Sequence, residues 1–253
     1  MGVKEYLETT SVFTIDEFRE SFPTVTGYNL LSRAVHSGKV LHITRGLYAS
    51  NTGRYTGVRQ DRFRIASKMA PDVVFLYHSA LELLGAAHSV SNLVQYCSAG
   101  KRKTSVFQGN TYKQYSIANN ENIMVQTTRA PAFGEVSVTA KEQTLIDCLS
   151  YIGRGGGSEE VLRSLAGFPY IDVNAIKNRA DTLNASAIAR IGWLLEQKQQ
   201  TWNVNAKDLD YLQDRLAGNA YRFVSRTNPD SGWSKRWKLI LPASEYEMRE
   251  WVE

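Results

Sequence analysis

The chain has 253 residues, 43% of them hydrophobic, and a formal net charge of +5, which is enough to bury sizeable cores in two or three domains. No run of about 18 apolar residues offers a membrane span and the amino terminus lacks a basic-then-apolar secretory pattern, so cytoplasmic residence is expected and a membrane partner is not. Cys97 and Cys148 accompany just four histidines, none at ligand spacing from either, which disfavours a disulfide framework or zinc site and suits two buried small apolar side chains.

The first element with clear signals begins at Thr14. Glu17 follows at capping-box spacing, and Ile15, Phe18 and Phe22 recur at helical period, so a short helix is expected to end before Pro23. Its outer face, with Asp16, Glu17 and Glu20, is acidic and suits a supporting role. A second helix is expected from about Thr26 to Ser37, stopped by Gly38 in a left-handed conformation. At about 100° per residue, Tyr28, Asn29, Ser32, Arg33 and His36 fall on one side and Leu30, Leu31, Ala34 and Val35 on the other. The polar arc has the chemistry that reads base edges, because arginine pairs bidentately with guanine and asparagine with adenine in the major groove. The plainer alternative is a solvated amphipathic helix.

A hairpin then follows. Lys39–Ile43 and Leu47–Ala49 read as strands joined by Thr44-Arg45-Gly46, with glycine supplying the positive φ of a tight turn. Between Thr26 and Ala66 the cations Arg33, Lys39, Arg45, Arg54, Arg59, Arg62 and Arg64 face one acid, Asp61, for a net +6 against +5 for the whole chain. Charge gathered around one helix and one hairpin is an electrostatic footprint for phosphate. Residues 1–57 are therefore expected to form a winged helix-turn-helix that binds double-stranded DNA. Thr26, Tyr28, Asn29, Ser32, Arg33 and His36 would face the groove, while Lys39, Arg45 and Arg54 hold phosphates.

Residues 58–253 are expected to form a mixed α/β domain with a possible sub-boundary near 153–158, giving an α+β fold overall. Asn51-Thr52-Gly53 reads as a linker and Asp61–Ala70 as a basic helix stopped by Pro71. Val73–Leu76 is a short strand and His78–Leu84 a helix closed by Gly85. Strands are expected at Leu93–Ser98, Thr111–Ile117 and Ile123–Thr128. Gly100-Lys101-Arg102-Lys103 is a second basic spot, read as a solvated loop ahead of a DNA-backbone contact. Thr139 and Glu142 read as another capping box, opening a helix with Leu145, Ile146 and Leu149 inside. Helices follow at Glu159–Leu165, Asp172–Leu183, Ala187–Gln197 and Ala206–Ala217, then strands at Tyr221–Ser225 and Trp237–Leu241.

Signals for catalysis are weak. The run Arg154-Gly155-Gly156-Gly157 lacks the lysine and hydroxyl of a P-loop and reads as a flexible connector. Asp208 and Asp210 sit two apart in an expected helix and so diverge, which favours capping and solvation over magnesium. His78 and Ser79 are helix neighbours that do not face each other. No catalytic residue, cofactor or metal is expected, and the chain does not read as an enzyme.

Four ordered segments carry a family resemblance: Arg45-Gly46-Leu47-Tyr48, the stretch from His78 to Gly85, the stretch from Ala140 to Leu149, and Arg190-Ile191-Gly192-Trp193-Leu194-Leu195-Glu196. Together they resemble AbiEi-type antitoxins of bacterial type IV toxin–antitoxin, or abortive-infection, systems that defend against phage. The resemblance implies a winged helix that represses its own operon at inverted repeats and a larger domain responsible for antitoxicity. It also implies a nucleotidyltransferase-like toxin as functional partner, without a stable complex. Many relatives carry lysine where this chain has Gln143. Alternatives are a protein-binding inhibitor of that toxin and a stand-alone winged-helix regulator.

Overall fold

The computed structural model describes residues 2–23, 25–116, 123–218, 220–225 and 231–253, with the side chains of Val25, Thr26 and Tyr28 outside that description. In chain order the elements begin with α1 (Val3–Thr9), β1 (Val12–Thr14), α2 (Ile15–Ser21), α3 (Val25–His36), β2 (Val40–Thr44), β3 (Leu47–Ser50), α4 (Arg62–Ser67), β4 (Val74–Phe75) and α5 (His78–Leu83). The strands β5 (Leu93–Ser98), β6 (Thr104–Phe107), β7 (Asn110–Ser116), β8 (Val125–Ala130) and β9 (Gly134–Thr139) follow. The remainder is α6 (Lys141–Ser150), α7 (Ser158–Ala166), α8 (Val173–Lys177), α9 (Ala185–Gln197), α10 (Ala206–Gln213), β10 (Tyr221–Arg222), β11 (Trp233–Ser234), β12 (Leu239–Ile240) and α11 (Glu245–Glu250). The fold is mixed α+β with several sheets.

The chain divides into two units. The first takes Met1–Val74, Asn92–Asn119 and Arg129–Val136, and the second Phe75–Ser91, Asn120–Thr128 and Ser137–Glu253. The expected 1–57 segment lies wholly in the first, together with α4 and β5–β7.

In the first unit a three-stranded sheet runs in the order β1-β3-β2. Ala49 on β3 lies opposite both Val12 and Leu41, and both pairings are antiparallel. Beneath it, Tyr6, Leu7, Phe13, Phe18, Leu31, Ala34 and Val40 close a core. Its centre is aromatic: Tyr6 stands edge-on to Phe13, Phe18 and Phe22 at 5.4, 5.6 and 5.5 Å between ring centroids. Such edge-to-face pairs add about 0.5–1.5 kcal/mol each beyond the area they bury. Burial, with the Glu17 carboxylate adding to it, pushes the Tyr6 hydroxyl up to about 12. Elsewhere in this unit β5 runs parallel to β7, with Leu93 opposite Thr111, and β6 runs antiparallel to β7.

The expected helix at Asp61–Ala70 is shorter. Asp61 caps it by accepting from Arg64 N at 2.8 Å, and it ends at Ser67, so Pro71 is not its terminator.

In the second unit α9 packs against α6 and α10. Gly192 on α9 is where the indole of Trp237 comes closest: a Cβ there would lie 2.1 Å from the ring. The indole Nε1 of Trp237 donates to Glu196 one turn further along α9, at 2.7 Å. A small parallel and antiparallel sheet, β10-β12-β11, follows. The expected helix over Asp172–Leu183 is split into α8 and a separate 3-10 turn at Ala180–Thr182. The second capping box does not form. Thr139 remains in β9, its hydroxyl paired with that of Thr144 at 2.8 Å, and Glu142 instead accepts from the backbone of Asp172 at 3.0 Å.

Candidate nucleic-acid interface

α2 starts with a complete capping box. Glu17 N donates to the Thr14 hydroxyl at 3.1 Å, and Thr14 N donates back to the Glu17 carboxylate at 2.8 Å. Burial alone would raise the Glu17 carboxyl, but Lys68, which pairs with it, and the Thr14 amide hold it below its usual range. This acid is thus part of the scaffold.

α3 packs on β2. Gly27, Leu31 and Ala34 are its buried stripe, with Val35 partly covered, while Asn29, Ser32, Arg33 and His36 are exposed together as expected. Leu30 departs from its expected inward position: it sits at the edge of the stripe and is 37% exposed. The spacing 27, 31, 34 leaves it off the contact line. The side chains of Thr26 and Tyr28 lie outside the described residues. Gly38 ends the helix at φ +72°.

The hairpin returns through Gly46 at φ +78°. Arg45 beside it is exposed, and so is Lys39 at the foot of β2. The Gly46 carbonyl accepts from Ile15 N at 2.8 Å, which fastens the turn to the first residue of α2. Between α3 and the hairpin lies a groove of about 300 Å³ lined by Leu31, Ser32, Val35, His36, His42 and Tyr48. His42 and Tyr48 meet edge to face at 5.5 Å, and Tyr48 stacks on Phe13 at 5.9 Å, anchoring the groove floor to the core. Neither residue is among the DNA-binding residues expected from the sequence, although strand alternation places His42 on the outward side of β2.

The polar side chains of this region separate into two groups. Asn29, Ser32, Arg33, His36, Lys39 and Arg45 spend no side-chain hydrogen bond or ion pair within the described residues. Arg54 and Arg64 do. Arg54 Nη2 donates to the Thr9 carbonyl at 3.1 Å and to the Tyr55 hydroxyl at 2.7 Å. Arg64 donates to the Ser11 hydroxyl at 2.6 Å and the Ala132 carbonyl at 3.1 Å, with its guanidinium over Phe133. The cationic footprint counted along the sequence is therefore smaller in space, because part of it ties the unit together.

The second unit holds a buried polar cluster. His78 Nδ1 lies 3.2 Å from Glu82 and Nε2 lies 3.0 Å from Glu160, with only 3% of the His78 side chain exposed. Burial alone would lower the His78 pKa, but hydrogen bonds and charge from the two carboxylates overcome it and raise the group. The Glu160 carboxyl is held below its usual range, because bonds from Ser89, His78 and Ser164 outweigh its burial.

Beside it, Arg154 bonds the Tyr77 hydroxyl and lies over the Tyr151 ring at 4.1 Å. Asp147 is partly buried and accepts from Gln143 at 2.8 Å; desolvation of its carboxyl pushes it up to about 7 against the pull of Gln143, Arg179 and Arg154. The glycine run is a packed turn and not a flexible connector. Gly156 and Gly157 hold φ +105°, and a Cβ on Gly155 would meet Val161 at 2.4 Å. Asp208 and Asp210 diverge, to Lys177 and to Arg236, at 2.7 Å each. Arg190 donates to the Leu149 carbonyl at 2.8 Å and the Arg222 carbonyl at 2.9 Å. Cys97 and Cys148 are buried free thiols. Among the described residues no helix is long and apolar enough to cross a membrane.

Among solved structures the chain is similar to the RV2827C protein from Mycobacterium tuberculosis, with a TM-score of 0.64 at 12% identity over 94% of this chain and 89% of that one. The likeness is one of fold. No protein-family model and no curated protein matches the chain.

Proposed function

We propose that the first unit is a winged-helix reader of duplex DNA and that the chain is an AbiEi-type antitoxin, repressing its own operon at an inverted-repeat operator. The observation that carries this reading is the exposed α3 face of Asn29, Ser32, Arg33 and His36, which is unengaged among the described residues and borders the β2–β3 groove. The element order α1-β1-α2-α3-β2-β3, with the sheet order β1-β3-β2, supports it as the connectivity of a winged helix. In this reading α3 enters the major groove, where Arg33 and Asn29 pair with base edges. Ser32 and His36 extend the contact, and Lys39 and Arg45 neutralise flanking phosphates.

The larger remainder would carry antitoxicity in cytoplasmic opposition to a nucleotidyltransferase-like toxin, without catalysis and without a stable complex. Its polar clusters support a structural role, since His78, Asp147, Asp208 and Asp210 are each engaged with neighbours inside the unit.

The test is a gel-shift titration with duplex DNA from upstream of the chain's own reading frame against a random duplex of equal length. Preferential, salt-sensitive binding to the upstream duplex is the expected result. Equal binding to both, or none to either, would overturn the operator reading. A stoichiometric toxin complex without DNA binding would favour a protein-binding inhibitor.

A further inference from the structure

Residues 92–119 contain Lys101, Arg102, Lys103 and Lys113 and no aspartate or glutamate. They belong to the same unit as α3 and the β2–β3 hairpin. β6 lies beside β2, and Gln60 N donates to the Gln108 side chain at 2.9 Å, joining the segment after the hairpin to the β6–β7 turn.

The register sets Lys113 opposite the first residue of the edge strand β6, and Lys101, Arg102 and Lys103 lead directly into that strand. Thr104 pairs with Lys113 and Val106 with Thr111, so these four side chains share one face of the ladder. That face is open: Thr104 and Lys113 are exposed and Val106 is 68% exposed. The basic loop continues along the same strand. Gln114 N donates to the Lys103 carbonyl at 2.8 Å, and Arg102 Nε donates to the Ser116 hydroxyl at 3.3 Å. Lys101, Arg102 and Lys103 are all exposed. The nearby acid, Asp72, is occupied in fixing the loop's entrance, accepting from the Ser98 hydroxyl at 2.6 Å and from Ala99 N at 2.7 Å.

We infer that the β6–β7 edge is a second DNA-backbone contact, gripping phosphates that flank the segment read by α3. The inference rests on the operator-binding reading above and extends its interface beyond the winged helix. Lysines next to an edge strand also discourage strand-to-strand aggregation, but that role requires no DNA. Four exposed cations that form no ion pair among the described residues are suited to exchanging counterions with a polyphosphate backbone, and each phosphate neutralised adds about 0.9 to the salt slope.

The experiment compares the full-length chain with a variant carrying Lys101→Gln, Arg102→Gln, Lys103→Gln and Lys113→Gln, titrated at several salt concentrations with the upstream and random duplexes. The variant's log–log salt slope should be shallower by about 3 to 4, with loss on both duplexes and their affinity ratio preserved. An unchanged slope would overturn the inference. Lysine acetylation of the wild-type chain with and without the upstream duplex gives a second readout that does not depend on the variant folding. Protection of Lys101, Lys103 and Lys113 is expected, and equal labelling would overturn the contact. If Arg33→Ala weakens binding while the quadruple variant does not, this inference alone falls; if the wild type binds neither duplex, the operator reading falls with it.

Discussion

Glu160 on α7 meets Nε2 of His78 on α5 at 3.0 Å, and Glu82 holds the opposite ring nitrogen from the same helix as the histidine. One imidazole thus joins two carboxylates in the interior of the second unit. His78→Ala would leave two acids facing each other with no cation between them. Uncompensated buried charge of that kind costs about 3–5 kcal/mol. Chemical denaturation of the wild type and variant at neutral pH measures the loss, and a difference under about 1 kcal/mol would count against the cluster as a structural joint.

The same trio makes stability pH-dependent. His78 is raised in the fold, so its contribution is complete below the unfolded histidine value and is lost as pH rises through the folded one. Glu160 is lowered, so its contribution is present above the unfolded carboxylate value and is lost as pH falls through the folded one. Melting curves of the wild type against His78→Gln across pH 4 to 9 should show the difference between them greatest between those limits and smaller at both extremes.

Asp147 has the opposite sign. Its carboxyl is pushed up to about 7 by burial, so the fold binds the proton more tightly than the unfolded chain and stability declines as pH rises from the unfolded aspartate value towards 7. Asp147→Asn keeps an acceptor for Gln143 and removes the ionisation. It should flatten that decline, giving its most favourable comparison with the wild type at the alkaline end. Parallel pH profiles for the two proteins would refute the assignment.

Gly192 is required by packing and not by backbone conformation. A methyl group there would overlap Trp237 ring atoms at 2.1–2.5 Å, and that indole is itself held by Glu196. Gly192→Ala should destabilise by about 1–3 kcal/mol through forced repacking, despite alanine's better helix propensity. Trp237→Leu in the same background should recover part of the loss, as a double-mutant cycle would reveal.

On DNA, Arg33→Ala should cost about 1–3 kcal/mol on the preferred duplex and blur its preference. Arg45→Ala should weaken every duplex alike and reduce the salt slope by about 1. Fluorescence anisotropy titrations separate the two, and identical profiles for both variants would remove α3 from the reading role.

Local signals in the sequence located several elements closely. The Thr14–Glu17 box marks the start of α2, Gly38 and Gly46 mark the end of α3 and the hairpin turn, and β5 covers the expected Leu93–Ser98. Elements defined by distant partners were not legible. β1 has three residues and is paired with β3 far along the chain, and β6 is a short edge strand with a partly open face. Thr139 and Glu142 had capping-box spacing, yet the strand ending at Thr139 had the stronger claim on that residue. The same limit applies to the site. Helical period was sufficient to group Asn29, Ser32, Arg33 and His36, but no local pattern shows that Arg64 is bound to Ser11 and Ala132, or that His42 and Tyr48 line the groove.

The bond from Ile15 N to the Gly46 carbonyl restrains the turn that bears Arg45. A loop clasped at its base has little freedom left to surrender when it meets a rigid polyanion, so less ordering entropy opposes association than for a mobile basic arm. Encounter would resemble the seating of a preformed key, with partner discrimination expressed mainly in how slowly the complex comes apart.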